Sequence, residues 1–152
     1  MTVVDLVKKH EGIRLHPYRD SVGVQTIGYG HNLEANPLPA EYFEPDGSLL
    51  LATAEEVLED DLTDVENELT AALSWFEGLD EVRQAVLIDL GFNLGVPKFL
   101  RWHVTLGALE RGDFAAAADD LASSEPWATQ VGERAIEDAQ MLRTGQWPAP
   151  RF

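Results

Sequence analysis

Glu11, Asp20 and Thr26 carry two carboxyl groups and a hydroxyl that could do acid–base chemistry near the N-terminus. A glutamate at the C-terminal end of a helix lies at the negative end of the helix dipole, which favours the protonated carboxyl that a general acid needs. An aspartate in a hairpin turn can accept hydrogen bonds from exposed backbone N–H groups, which favours its ionised form. One protonated and one ionised carboxyl, beside a hydroxyl that can bind water, are the working parts of a glycoside hydrolase. Taken singly, each of these residues is also common in purely structural roles.

The local sequence predicts a helix and a hairpin that would position these side chains. Thr2 can cap a short apolar helix that ends near residues 10–12. Segments 14–19 and 24–30 are rich in β-branched and aromatic residues, and Gly23 between them supplies a turn. We therefore expect the glutamate at the helix end, the aspartate in the turn and the threonine on the second strand.

Glycine and histidine residues follow the threonine. Gly28 and Gly30 remove side chains from one strand, as a groove requires where a ligand approaches the backbone. His31 comes next, and Asp61 interrupts an apolar stripe farther along the chain. We expect a His31–Asp61 ion pair that supports the small lobe rather than a catalytic pair.

The remainder of the chain reads as a loop followed by helices. Residues 34–50 contain three prolines and predict a loop with one short strand. Thr53 and Glu56 match a capping box, which predicts a helix over about 54–73. Asp80 can cap a helix over 82–94 that is apolar almost all round and therefore central. Shorter helices are expected at about 99–110, 113–122 and 132–144.

These elements predict an α+β fold in a single domain, residues 1–152. A small hairpin lobe over about 13–55 would be joined by the helix at 54–73 to a larger, all-helical lobe over about 80–152. The N-terminal helix is assigned to the helical lobe, although its docking is not fixed by the sequence. The length suits one globular domain.

The net charge of −16 excludes several classes of partner. Residues 37–81 contain many acidic residues but no lysine or arginine. Such a field disfavours binding to nucleic-acid phosphates or to anionic membranes. An acidic protein that mimics nucleic acid remains an alternative to a merely solvated helix surface.

Composition also limits the compartment and the chemistry. The chain has no cysteine, so disulfides, thiolate metal sites and cysteine nucleophiles are excluded. No stretch is apolar for the roughly 20 residues of a membrane span. Asp5, Lys8 and Lys9 interrupt the segment where a secretory signal would be apolar. We therefore expect the protein to be made in a cytoplasm, without membrane insertion, and to depend on outside help for any export.

The segment 11–31 resembles the signature of the phage-type lysozymes, or endolysins. The residues that carry the resemblance are Glu11, Gly12, Arg14, Leu15, Tyr18 and Asp20, then Gly23, Thr26, Ile27, Gly28, Gly30 and His31. Weaker similarity continues through residues 83–95 and 112–114 to Trp127 and Arg134. The resemblance covers essentially the whole chain.

The resemblance implies a lysozyme-like fold with a cleft between two lobes, and hydrolysis of the β-1,4 bond between N-acetylmuramic acid and N-acetylglucosamine in peptidoglycan, which lyses cells. Glu11 would be the general acid, and Asp20 and Thr26 would position the attacking water. Arg134 would pair with Glu11 and orient it. Substrate would contact Gly30, Asn32 and Phe92. Peptidoglycan would be the partner of a monomer that needs no metal and no other cofactor.

Two further alternatives stay open. A wall-binding or phage-particle assembly module could keep the same fold with weak or no catalysis. A metal cluster is conceivable in the N-terminal part. Its candidate ligands would be His10, Glu11, His16, Asp20 and His31. Their spacing matches no known metal-binding motif.

Overall fold

The computed structural model describes residues 1–149. It contains eight α-helices and one three-stranded antiparallel sheet in that part of the chain, which is the predicted α+β class. Two compact units divide the chain at the Asp64–Val65 bond. The first unit begins at Thr2 and includes the N-terminal helix, which we had grouped with the helical lobe. The predicted lobe runs to residue 152, and its last three residues lie outside the described part.

Helix α1 (Val3–Glu11) ends at the candidate acid. Thr2 is its N-cap and forms a capping box with Asp5, in which each side chain bonds the backbone N–H of the other. Gly12 follows with a positive φ of 68° and donates its N–H to the Lys8 carbonyl. The helix therefore stops at Glu11, as the sequence predicted.

The sheet follows directly and has the order β1 (Arg14–Arg19), β2 (Gln25–Gly28) and β3 (His31–Asn32). The β1–β2 hairpin is confirmed, whereas the very short third strand was not predicted. Tyr18 lies opposite Thr26, and an irregularity in the ladder precedes it on β1. This hairpin holds the turn at Asp20 and brings the backbone of β2 to the centre of the sheet.

Two expectations for residues 33–72 are wrong. The loop contains a single 3-10 turn at Ala40–Tyr42 and no strand. Helix α2 spans Leu51–Ala72, so it begins two residues before the proposed cap, and Thr53 lies inside the helix. Apolar Leu49 is fully buried just ahead of the helix and its N–H bonds the Leu15 carbonyl. The chain before the first turn of α2 is therefore held by burial of Leu49 and by this backbone hydrogen bond, and not by a capping box.

The second unit is helical throughout its described residues. It contains the second half of α2, then α3 (Glu81–Leu94), α4 (Val96–Phe99), α5 (His103–Glu110), α6 (Phe114–Ala122), α7 (Trp127–Val131) and α8 (Glu133–Thr144). Asp80 and Asp113 cap α3 and α6 as predicted. The helix expected at 99–110 begins only at His103, and the short helices α4 and α7 were not predicted.

Helix α3 is the core of this unit. Eight of its residues are buried, including the continuous run from Ala85 to Gly91. A Cβ on Gly91 would lie 2.9 Å from a methyl of Val65, so the glycine permits close approach of α3 to α2. No helix within residues 1–149 is both long and apolar enough to cross a membrane.

Candidate active site

The carboxyl of Glu11 packs against Gly30 in the first unit. A Cβ on Gly30 would lie 2.8 Å from Glu11 Oε2 and 3.0 Å from its carboxyl carbon. Gly30 also has a φ of +75°, which side-chain-bearing residues rarely adopt. Both the backbone conformation and the space for the carboxyl therefore require glycine. Glu11 itself is half-buried.

Asp20 is fixed by the backbone of the hairpin turn. Its Oδ1 accepts hydrogen bonds from the N–H groups of Val22 and Val24, both at 2.9 Å. Its other oxygen, Oδ2, has no hydrogen-bond donor within the described residues. The turn thus orients one carboxylate oxygen, and the second stays available to a ligand.

Thr26 is almost fully buried on β2. Its hydroxyl donates a 2.8 Å hydrogen bond to the Val24 carbonyl. Because the proton is used in this way, the hydroxyl oxygen can still accept a hydrogen bond. A water next to Thr26 would therefore donate a hydrogen bond to the hydroxyl oxygen. The lone pairs of the water oxygen would then stay available for another contact.

Tyr18 connects these three residues, and the sequence analysis gave it no role. It lies directly opposite Thr26 in the sheet. Burial raises the pKa of Tyr18, the negative charges of Glu11 and Asp20 raise it further, and the Arg14 cation lowers it. Both candidate carboxyls therefore act on one phenol. The place of Tyr18 in the segment that resembles the lysozyme signature was the available signal.

His31 and Asp61 are brought together in the first unit, with 2.6 Å between Nδ1 and Oδ2. The other ring nitrogen, Nε2, lies 2.7 Å from the Asn36 carbonyl oxygen. Two acceptors require two N–H donors, which only the protonated ring supplies. Burial lowers the pKa of His31, but Asp61 and the Asn36 carbonyl outweigh it and raise the pKa above 6.5.

Asn32 uses its side chain locally. Its Oδ1 accepts N–H bonds from Glu34 and Ala35, each at 2.9 Å, and so closes the turn after β3. The side chain is exposed, and its amide NH₂ group is the part that remains for a ligand.

Phe92 and Arg134 belong to the second unit. Phe92 is half-buried on α3. Arg134 forms a two-pronged ion pair with Asp89, with Nη2–Oδ1 and Nε–Oδ2 distances of 2.6 and 3.1 Å. The indole of Trp127 donates to Asn93 Oδ1 at 2.8 Å. These contacts fix Arg134 and α7 against α3.

Asp138 on α8 is a buried acid that the sequence analysis missed. Both of its carboxylate oxygens are buried without a donor in the described structure. Complete burial and the neighbouring Asp89 carboxylate raise its pKa well above 3.8, against the opposing effect of Arg134. A proton on Asp138 lets it donate to Asp89.

Comparison with known proteins assigns the chain to a family. A sequence model of the family described as phage lysozyme matches residues 8–143. The chain belongs to the phage lysozyme family. At the level of that family, its lysozyme and endolysin relatives support a peptidoglycan hydrolase.

Individual relatives are only modestly similar. A T4-type lysozyme of Dictyostelium discoideum is 26% identical, over 95% of both chains. A SAR-endolysin of Bacteriophage PS119 is 26% identical over 84% of this chain and 73% of its own. The pre-baseplate central spike protein Gp5 of Enterobacteria phage T4 is 25% identical over 95% of this chain. The chain spans only 28% of the length of that spike protein.

Proposed function

We propose that this protein is a muramidase, a glycoside hydrolase that cleaves the β-1,4 bond between N-acetylmuramic acid and N-acetylglucosamine in peptidoglycan. Family membership supports the substrate class. The observation that carries the assignment is that the Glu11 carboxyl packs against Gly30, which lies in the turn that follows β2, while Thr26 lies on β2 and Asp20 holds the turn that leads into it. An acid, a base and a water-binding hydroxyl thus share one neighbourhood.

In the proposed reaction, Glu11 donates its proton to the glycosidic oxygen as the bond to the anomeric carbon breaks. A water attacks that carbon from the opposite face and forms the new C–O bond. The water donates one hydrogen bond to Thr26 and passes its other proton to Asp20 Oδ2, which has no other described partner. Direct attack by water inverts the configuration at the anomeric carbon.

The other predicted residues keep supporting roles in the proposal. Gly30 makes room for the Glu11 carboxyl, and Asn32 offers its amide NH₂ to the sugar. The substrate contact of Phe92 and the orienting role of Arg134 stay predictions. Four further expectations also stay predictions. They are a monomeric state, no binding of nucleic acid, no membrane insertion, and action from the bacterial cytoplasm with outside help.

Clearing of outer-membrane-permeabilised Gram-negative cells tests the proposal. Glu11→Gln removes the acid with almost no change in shape, so we expect at least a hundredfold loss of clearing. Glu59→Gln makes the same chemical change on an exposed part of α2 and should clear at the parent rate. Mass spectrometry of the products identifies the bond, and a reducing N-acetylglucosamine end would contradict a muramidase.

A second candidate function has one observation in its favour. The T4 relative is named as a spike protein of the baseplate, and this chain matches only part of it. A wall-binding or particle-assembly module with weak catalysis would bind sacculi yet fail to clear cells. Equal, negligible clearing by the parent and Glu11→Gln, with both folded, would favour this role.

A further inference from the structure

Arg14 is an exposed cation held over an aromatic ring. Its Cζ lies 4.4 Å from the centroid of the Tyr18 ring. It has no carboxylate partner among residues 1–149, in contrast to Lys8, which pairs with Glu55. The contact with the ring uses no hydrogen-bond acceptor, so the N–H groups of the guanidinium stay available for a ligand.

The sheet register brings Arg14 to the proposed catalytic residues. Arg14 lies opposite Gly28, and Tyr18 lies opposite Thr26. Directly paired residues of an antiparallel ladder project to the same face of the sheet. Tyr18 and Thr26 therefore share a face, and the contact with the Tyr18 ring brings the Arg14 guanidinium to it across the irregularity in β1. Gly28 has no side chain that could cover the guanidinium.

The charge of the surrounding chain makes this cation notable. The protein carries a net charge of −16, and residues 37–81 contain no lysine or arginine. Peptidoglycan is itself anionic, because the peptides attached to its glycan strands carry carboxylates. Long-range repulsion would therefore weaken binding unless a local cation meets the substrate.

We propose that Arg14 is a substrate-binding residue that recognises a carboxylate of the peptide attached to the glycan, and that Tyr18 is the positioning residue that holds its guanidinium. The inference rests on the proposed function and extends it to the charge of the substrate. Guanidinium N–H groups match a carboxylate in a two-pronged geometry that lysine cannot reproduce.

Arg19 offers a matched control on the same strand. It is also an exposed arginine, but its Nη1 donates a 2.9 Å hydrogen bond to the Gly23 carbonyl in the hairpin turn. Arg14→Gln and Arg19→Gln remove the same charge from the same hairpin. General electrostatic effects would change both variants alike, whereas recognition of a carboxylate affects only the first.

The test uses soluble glycan strands with attached peptides, and the same strands after carbodiimide amidation of their carboxyls. We expect Arg14→Gln to raise KM about tenfold on the native strands with kcat unchanged, as for loss of one charge-assisted hydrogen bond. On the amidated strands the parent and Arg14→Gln should differ by less than about twofold. Arg19→Gln should keep the parent's ratio of KM values between native and amidated strands.

Substitution of Tyr18 separates positioning from folding. Tyr18→Phe keeps a ring face and should retain the preference for native strands. Tyr18→Leu removes the ring and should lose at least half of that preference, since Arg14 is no longer held. Equal preferences in the two variants would overturn the role of Tyr18.

Failure of this inference is distinguishable from failure of the proposed catalysis. Binding of the two kinds of strand is measured separately in Glu11→Gln, with and without Arg14→Gln. A charge-selective loss of affinity on Arg14→Gln supports the inference even if the parent cleaves nothing. Equal affinity with and without Arg14→Gln, or an equal loss on native and amidated strands, overturns it.

Discussion

The two units of this protein bury charge in different ways. In the first unit, one cation faces one anion, because His31 donates to Asp61 and to the Asn36 carbonyl. In the second, Arg134 faces two acids, Asp89 and the fully buried Asp138. The first arrangement satisfies every polar atom of the ring, whereas the second leaves one carboxyl that is stable only when it holds a proton.

The same pH dependence of stability can therefore arise in two ways, from a favourable interaction that is lost or from an unfavourable charge that appears. Each folded-state pKa, of His31 and of Asp138, is raised, so the folded protein binds more protons than the unfolded chain. Stability therefore falls as pH rises in both cases. For His31 a favourable interaction is lost above about 6.5, whereas for Asp138 a cost begins above about 3.8.

Removal of the cation from the second cluster should have the largest effect. Arg134→Gln removes the two-pronged ion pair with the buried Asp89, and we expect the free energy of unfolding to fall by about 3–5 kcal/mol. Urea unfolding at pH 7 measures this. A loss below about 1 kcal/mol would show that the buried Asp89 does not depend on its ion pair with Arg134.

Substitution in the first cluster should have a smaller effect that depends on pH. His31→Gln should lower the free energy of unfolding by about 2 kcal/mol at pH 5.5, where the charged hydrogen bonds are complete. The loss should shrink as pH rises through the raised pKa of His31, since the parent then loses the same interaction. Urea unfolding at pH 5.5 and pH 9 tests this, and a pH-independent loss contradicts it.

Asp138→Asn should be stabilising, which is the sharpest contrast with His31. The amide imitates the protonated acid and can still donate to Asp89, without the cost of keeping a proton. We expect a higher free energy of unfolding at pH 7, and the gain should disappear below about pH 3.8, where the acid is protonated in the unfolded chain as well. Thermal unfolding across this range measures the gain, and destabilisation at pH 7 would exclude a protonated Asp138.

An exposed ion pair should show the smallest effect on the free energy of unfolding. Arg143 bonds Asp119, but both side chains are largely exposed. We expect Arg143→Gln to change the free energy of unfolding by less than about 0.5 kcal/mol, because water and salt screen the pair. A loss comparable to that of Arg134→Gln would mean that burial does not explain the difference between the clusters.

Local signals predicted much of the architecture. Asp80 and Asp113 cap their helices, and the turn at Gly23 closes the hairpin, because each acts over a few residues. The proposed cap at Thr53 failed for the opposite reason. Tertiary packing of the chain before α2 extended that helix to Leu51.

The candidate site divides in the same way. Glu11 at the helix end and Asp20 in the turn followed from short-range sequence patterns. Asp138 could not be predicted, because its neighbour Asp89 is distant in sequence and nothing nearby marks it as buried. Tyr18 was missed because its importance comes from partners on another strand and at the end of a helix.

The sequence by itself determined the family, the helix and hairpin that carry the acids, and the net charge, since these depend on residue types and short spacings. Only the tertiary structure decided which oxygen of Asp20 stays available to a ligand, that Gly30 makes space for Glu11, and that Arg14 lies over Tyr18. Such contacts depend on distances of a few ångströms between segments, and no local pattern encodes them.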